Sequence, residues 1–374
     1  MENKYNQNEK IAFVIHGISM GGAEKFLITL SNYFYENGYN PILIILSEQQ
    51  DLINELNPSI KTISVIKKNR FDLLISNRIR TIIDELKIKR VFCINTYAFF
   101  FTKLALLFKD DIRIFLSPHS TIPLSKKVFL LNFLYYRFLN KNDTIVYLCQ
   151  NQKSYLEKKY LISKSIQKIV YNGIDTEYFN PDRMTENNKE ELYKKFNITP
   201  KDKVIVQVAR LSTEKRHMDA IDALDILHRR FKNNAHLILV GQGEFEYTRK
   251  LKDYAIEKDL YDYIHFEGNQ SDVRKYYSIS DVFALTSNSE TFSLAALEAM
   301  AFGVPCSLTD VGGANEMIME GLSGKLCEPE NTISIANSWN DLLNSNLKGN
   351  KIRQYILDNF SSKKMLDQYL QLID

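Results

Sequence analysis

The sequence predicts an α/β protein of two doubly wound domains in series, and three observations carry that prediction. Short apolar runs rich in β-branched residues alternate with segments of helical period along nearly the whole chain, the pattern of parallel sheets covered by crossover helices. The pattern starts afresh after "NPDRMTENNKEELYKKFNITPKD", residues 180–202, a polar lysine-rich stretch that reads as a linker and the first helix of a new domain. The length, 374 residues, exceeds one ordinary core and suits two domains of roughly 150 to 200 residues each.

In the first half, "KIAFVIH" reads as a strand and leads through a glycine-bearing loop into "AEKFLITLSNYFYENG", a helix stopped by Gly38. "PILIILS", "VFCIN", "IRIFLS", "DTIVYLC" and "IQKIVYNG" follow as strands, with "TYAFFFTKLALLF" and "QNQKSYLEKKY" as helices among them. In the second half "KVIVQVAR", "HLILVGQG", "YIHFEG", "VFALTS" and "PCSLTD" are the expected strands. The helix after the first of these sets Met218, Ile221, Leu224, Leu227 and Phe231 three and four residues apart, one apolar face for packing. Ligands of such sheets gather at the carboxyl ends of the strands. No internal repeat argues for a solenoid.

Composition excludes several classes. Lys+Arg 48 against Asp+Glu 45 gives no case for a nucleic-acid binder. Cys93, Cys149, Cys306 and Cys327 are widely spaced, with no C-x-x-C pair and no histidine at ligand spacing, so they read as reduced structural thiols and no metal is expected. The polar start "MENKYNQNEK" lacks an apolar leader, and no run of eighteen apolar residues occurs, which predicts a cytoplasmic protein without a membrane span.

Polar residues at the strand ends are the candidates for chemistry. Arg210 closes "KVIVQVAR" and Lys215 follows in "LSTEKRH", two cations in one loop, suited to a diphosphate or else solvated surface. "GQGE" after "HLILV" lets the backbone turn tightly at Gly241 and Gly243 and approach a ligand, but lacks the third glycine of a dinucleotide fingerprint. In "GISMGGAEK", Gly21 and Gly22 open a helix whose unpaired N–H groups favour an anion, though a simple turn needs the same residues. "SETFSLAALEAMAFGVP", residues 289–305, carries Glu290 in a loop and Glu298 within the following short helix. Ser289, Thr291 and Ser293 are capable N-caps there, and Gly303 and Pro305 stop the helix. The N–H groups of Phe292, Ser293 and Leu294 point an amino-terminal dipole between the two carboxylates.

Six motifs in order, "GGAEKFLITLSNYF", "VYNGIDTEYFNP", "VARLSTEKR", "LILVGQGE", "SETFSLAALEAMAFGVP" and "DVGGANEMI", span nearly the whole chain, which resembles the retaining glycosyltransferases of family 4, of GT-B fold. That resemblance implies two Rossmann-like domains facing a central cleft: an acceptor-side domain over 1–180, a nucleotide-sugar domain over 181–350, and a helix over 351–374 returning to the first. It implies that Glu298 holds the ribose hydroxyls of the donor as a double acceptor, that Glu290 meets hydroxyls of the transferred sugar, and that Arg210 and Lys215 stabilise the leaving diphosphate. His119, in "SPHS", matches a family histidine near the donor sugar, whereas its bland reading is a strand-end histidine satisfied by backbone. His16 has no family counterpart. Asn172, Gly173 and Asp175 in "VYNGID" fall at the domain junction, Asp175 in a structural role. Thr291 replaces a glycine common in the family, which leaves the donor sugar open. The implied partners are a nucleotide-sugar donor, uridine-linked foremost, and a glycan or lipid-linked glycan acceptor, with no cofactor and no metal.

"LSKKVFLLNFLYYRFLNKN", residues 124–142, mixes Lys126, Lys127, Arg137 and Lys141 with Phe129, Leu130, Phe133, Leu134, Tyr136 and Phe138. It reads equally as a helix lying on an anionic membrane surface and as a core helix with basic ends. Two further functions compete: a sugar-nucleotide epimerase of the same fold, which needs its own acid and base, and a binding protein with a decayed site, which predicts lost charges where all four are present.

Overall fold

The computed structural model describes residues 9–373 apart from Met20, 67–71, Leu73, Phe108, Leu124, 163–164 and Lys348. The polar tail over 1–8, Met20 of the glycine loop and Leu124 of the basic aromatic segment thus lie outside the described residues. The chain divides into two compact units, residues 1–171 with 366–374, and residues 172–365.

In the first unit seven parallel strands form one sheet: β1 (Lys10–Ile15), β2 (Asn40–Ile45), β3 (Lys61–Ser64), β4 (Arg90–Ile94), β5 (Arg113–Ser117), β6 (Thr144–Tyr147) and β7 (Ile166–Ile169). Their order is β3-β2-β1-β4-β5-β6-β7, so the winding reverses beside β1, where doubly wound sheets open a crevice. Helices α1 (Gly22–Glu36), α2 (Leu74–Glu85), α3 (Asn95–Ala105), α4 (Lys126–Tyr136) and α5 (Gln150–Tyr160) accompany it. Phe13, Phe92 and Phe115 of β1, β4 and β5 stack at 5.2 and 4.5 Å, a ladder running across neighbouring strands. Strand β3 escaped the sequence reading because it is an edge strand: only Ile63 of its four residues is even half-buried, so no apolar run marks it.

The second unit has six parallel strands: β8 (Val204–Val208), β9 (His236–Val240), β10 (Ile264–Gly268), β11 (Val282–Leu285), β12 (Cys306–Thr309) and β13 (Gly324–Cys327), in the order β10-β9-β8-β11-β12-β13. Its helices are α6 (Glu186–Phe196), α7 (His217–Phe231), α8 (Phe245–Glu257), α9 (Arg274–Ile279), α10 (Leu294–Ala301), α11 (Ala314–Met317), α12 (Thr332–Leu343) and α13 (Asn350–Phe360). The expected first helix is α6, started by a capping box in which Thr185 and Asn188 serve each other's backbone. In α7, Ile221, Leu224 and Leu227 are fully buried, the predicted packing face. Strand β13, a sixth beyond the five expected, is a short edge strand whose Gly-Lys start hides its pattern.

Two boundaries differ from the sequence reading. The units divide after Tyr171 rather than at 180, because the segment that follows bonds into the second unit: Ile174 N–H donates to the Phe360 carbonyl at 2.9 Å and Arg353 to the Phe179 carbonyl at 2.8 Å. The stretch 351–374 is two helices, α13 and α14 (Ser362–Gln371), separated by Ser361, whose extended backbone bridges to Ile174. Helix α13 belongs to the second unit, and only 366–374 to the first.

Candidate active site

The order of the second sheet reverses between β8 and β11, so the loops after these strands, 209–216 and 286–293, leave the same edge side by side. Polar side chains buried under the loops fix their backbone. Gln207, fully buried in the otherwise apolar β8, lies 3.4 Å from both the Lys215 carbonyl and the Thr286 hydroxyl. That hydroxyl sits 3.0 and 3.1 Å from the Lys215 and Arg216 carbonyls, and Thr309 donates to the Ser287 carbonyl at 2.6 Å. Arg216, left-handed at φ 49°, is clamped to Asp219 by bonds of 2.6 and 3.0 Å.

From this fixed backbone the Lys215 ammonium reaches Glu290: Nζ to Oε1 is 2.6 Å, and the Ser287 hydroxyl donates to the same oxygen at 3.0 Å. Helix α10 begins directly after that loop. Its N-cap is Ser293, whose Oγ accepts from Ala296 N–H at 3.3 Å, and Gly303 and Pro305 follow its end as expected. Glu298 lies in its second turn and accepts from the Tyr277 hydroxyl at 2.7 Å. Burial first, and the Glu298 charge second, push the Tyr277 phenol well above its ordinary range, so it stays a donor. Phe292 is buried against the Phe360 ring at 5.6 Å, and its carbonyl accepts from Asn172 at 3.3 Å, while Leu294 opens the first turn.

The other predicted residues lie elsewhere. Arg210, two residues beyond the end of β8, does not join Lys215; its largely exposed guanidinium pairs with Glu214 at 2.6 Å. This pair borders a separate cavity of about 920 Å³ lined by Gln242, Gly243, Tyr247, Arg249 and Lys250. Gly243 borders that cavity and also packs closely on the neighbouring loop: a Cβ there would run into the Leu211 carbonyl, and Leu211 N–H bonds to Gln242 O at 3.1 Å. In the first unit, Gly21 caps α1, but the Glu24 carboxylate folds back over it, held by Ser19 and its own N–H, and Gly22 begins the helix. A carboxylate of the chain therefore stands where an incoming anion was expected. His119 packs on Phe26 at 4.6 Å with Nε2 3.2 Å from the Ser117 hydroxyl, and burial pushes its imidazole down to about 3, so it is neutral at pH 7. His16 meets Tyr97 edge-on at 4.8 Å. Asp175 accepts from Glu177 and Tyr178 N–H at 3.0 and 2.9 Å, a turn-forming structural role.

Sequence reasoning missed Tyr277, Ser287, Gln207, Thr286, Glu214 and Glu24. A signal existed for Gln207, a lone amide in an apolar strand, and for Thr286 and Ser287, polar residues at a strand's carboxyl end. None existed for Tyr277, which reaches Glu298 from another helix. Among the described residues no three His, Cys, Asp or Glu side chains converge as a metal site, and no helix is long and apolar enough to cross a membrane.

Two family profiles divide the chain between them, "Glycosyltransferase Family 4" over residues 20–178 and "Glycosyl transferases group 1" over 188–358. The chain belongs to the family 4 glycosyltransferases. N-acetyl-alpha-D-glucosaminyl L-malate synthase of Bacillus anthracis is 34% identical over 213 residues, which is 55% of this chain but only 53% of that protein, so the match spans about half of its length. An uncharacterised glycosyltransferase of Haemophilus influenzae is 25% identical over 345 residues, 90% of this chain and 91% of that one. Solved structures give the same fold: a glycosyltransferase from Rickettsia africae superimposes with a TM-score of 0.83 at 23% identity over 98% of both chains. Anabaena HepE in complex with UDP does so at 0.81 and 19% over 97% of this chain and 99% of that one. The fold of this family 4 chain is GT-B, two α/β units with parallel sheets.

Proposed function

We propose that the protein is a retaining, metal-independent transferase that moves a hexose or N-acetylhexosamine from a nucleotide sugar, uridine-linked foremost, to a glycan or lipid-linked glycan acceptor in bacterial surface-glycan assembly. The observation that carries this reading is the single short helix α10 with Glu298 inside it, Glu290 just ahead of it, and the Lys215 cation beside Glu290. On this reading Glu298 holds the ribose and Glu290 the sugar hydroxyls. Lys215 takes the charge that builds on the leaving diphosphate, joined by Arg210 after a rotamer change, and the N–H groups at the start of α10 add to that field. Neutral His119 is a hydrogen-bonding group for the sugar side rather than an acid. The bond from the anomeric carbon to phosphate breaks, the acceptor oxygen bonds to that carbon on the same face, and the acceptor's proton passes to the leaving phosphate oxygen.

The names of similar proteins support the donor and acceptor classes: HepE is solved with UDP-glucose, and one relative from Escherichia coli is a galactosyltransferase acting from UDP-Gal on a diphosphoundecaprenol glycan. A membrane-facing role for 124–142 is supported by α4, which leaves Val128, Leu130 and Leu134 exposed beside Lys126 and Lys127 while only Tyr136 of its residues is buried. That helix would seat the enzyme on the inner face of the cytoplasmic membrane. Thermal stabilisation by a panel of nucleotides tests the reading, since a ligand at a hundred times its dissociation constant adds about 2.7 kcal/mol. Uridine diphosphate should stabilise the protein selectively; a response to guanosine diphosphate instead would change the donor, and none to any nucleotide would favour a decayed binding protein.

A further inference from the structure

We infer that Glu290 is the resident counter-ion of Lys215 and is exchanged for the donor's diphosphate, so that arrival of the nucleotide itself frees the Glu290 carboxylate for the sugar; this rests on the donor reading above. The first ground is occupancy. The Lys215 ammonium and the Ser287 hydroxyl both bond to Oε1 of Glu290, at 2.6 and 3.0 Å, so that oxygen already holds two donors and the carboxylate offers a sugar only Oε2 until the lysine leaves. The second is where motion is possible. Gln207, Thr286 and the Arg216–Asp219 clamp hold the backbone at 215–216, so the lysine stem alone has to swing. The third is access: the two side chains keep 19% and 18% of their surface open to solvent, so phosphate oxygens can reach the ammonium and compete for it.

Two further features fit exchange rather than a fixed bridge. When Lys215 leaves, Ser287 still donates to Glu290, so the carboxylate is not left bare. The second cation of the loop is built the same way, since Arg210 is paired with its own carboxylate, Glu214, at 2.6 Å. Each cation that the diphosphate needs thus carries a carboxylate of the chain until phosphate replaces it. Nucleotide and sugar recognition are then positively coupled, because binding one releases the group that binds the other.

Calorimetry with uridine diphosphate on the full chain tests this. Glu290→Gln removes the competing charge and should bind uridine diphosphate more tightly, by roughly two- to tenfold, while turnover of the nucleotide sugar falls. In a Lys215→Met background the same change should have no effect on nucleotide affinity. Unchanged or weaker binding by Glu290→Gln, or a gain that survives in Lys215→Met, overturns the inference while the donor site stands. Glu290→Asp, too short to reach Lys215 well, provides a second variant with the same expected direction if the amide fails to fold. A wild-type protein that binds no nucleoside diphosphate would remove the donor reading and this inference with it.

Discussion

Each unit contains a partly or wholly buried lysine–carboxylate pair, and the two pairs are built differently. In the first unit Lys103 reaches both oxygens of Asp143, at 2.8 and 2.7 Å, and both residues are buried; the Asn140 N–H donates to the same carboxylate at 2.8 Å. In the second unit Lys215 holds one oxygen of Glu290 and the pair keeps contact with solvent. Identical charges therefore serve as a scaffold where both partners are buried and the lysine spans both carboxylate oxygens, and as exchangeable groups where solvent reaches the pair and the lysine holds one oxygen.

The largest effect that would break this comparison is on the first pair. Lys103→Met leaves Asp143 buried without its cation and should cost about 3–5 kcal/mol of stability in urea unfolding; a loss below about 1 kcal/mol would make the two pairs alike. Next, Lys215→Ala should raise the barrier to transfer by about 2.7–4 kcal/mol, read as kcat, with a loss of stability in urea unfolding clearly smaller than that of Lys103→Met. If it unfolds the protein instead, the pair is a scaffold too. Glu298→Ala should weaken uridine diphosphate binding by about 1.5–3 kcal/mol, and unchanged affinity in calorimetry would remove Glu298 from the ribose.

Acid should separate the two units. Burial lowers His217 and His265 to about 4 and also depresses His228 and His236, all in the second unit, against His119 alone in the first among the described residues with a depressed histidine. A depressed histidine stays neutral in the fold while the unfolded chain takes up a proton below its ordinary value of 6.5. Stability is therefore intact above that pH and is lost as pH falls toward the folded value, by about 1.4 kcal/mol per pH unit for one such group. The only tryptophan, Trp339, is buried in the second unit, so its fluorescence should report earlier urea unfolding at pH 5.5 than at 7.5, and the shift should shrink in His217→Gln. The smallest effect concerns the helix that carries the carboxylates: Ser293→Ala removes its cap and should cost about 1 kcal/mol, visible as a modest fall in melting temperature.

How much of this was legible depended on whether a residue's partner is near in sequence. The interior strands announced themselves because both faces are buried and most of their residues are apolar, whereas β3 and β13, two of the four edge strands, are short and carry polar residues that hide the pattern. Glu290 and Glu298 stood out because a short apolar helix with clear start and stop residues carries them. The Tyr277 contact and the clash that Leu211 makes with any side chain at Gly243 arise from segments brought together only by the sheet order, which no local pattern encodes. Arg210 and Lys215 looked equivalent in the sequence, and only the backbone after β8 separates them.

Residues 366–374 close the first unit's core: Tyr369 is fully buried, packs against Phe26 and Phe92 at 5.3 and 6.2 Å, and Tyr33 donates to Asp367 at 2.5 Å. During synthesis the ribosome delivers strands β1 to β7 long before that tyrosine. The second unit, one continuous stretch of chain, has all its own residues earlier than the first does. The usual order, in which the amino-terminal unit matures first, is thereby reversed for the final packing step, because Phe26 and Phe92 lack their Tyr369 neighbour until residues 366–374 have been made, after the whole of the second unit.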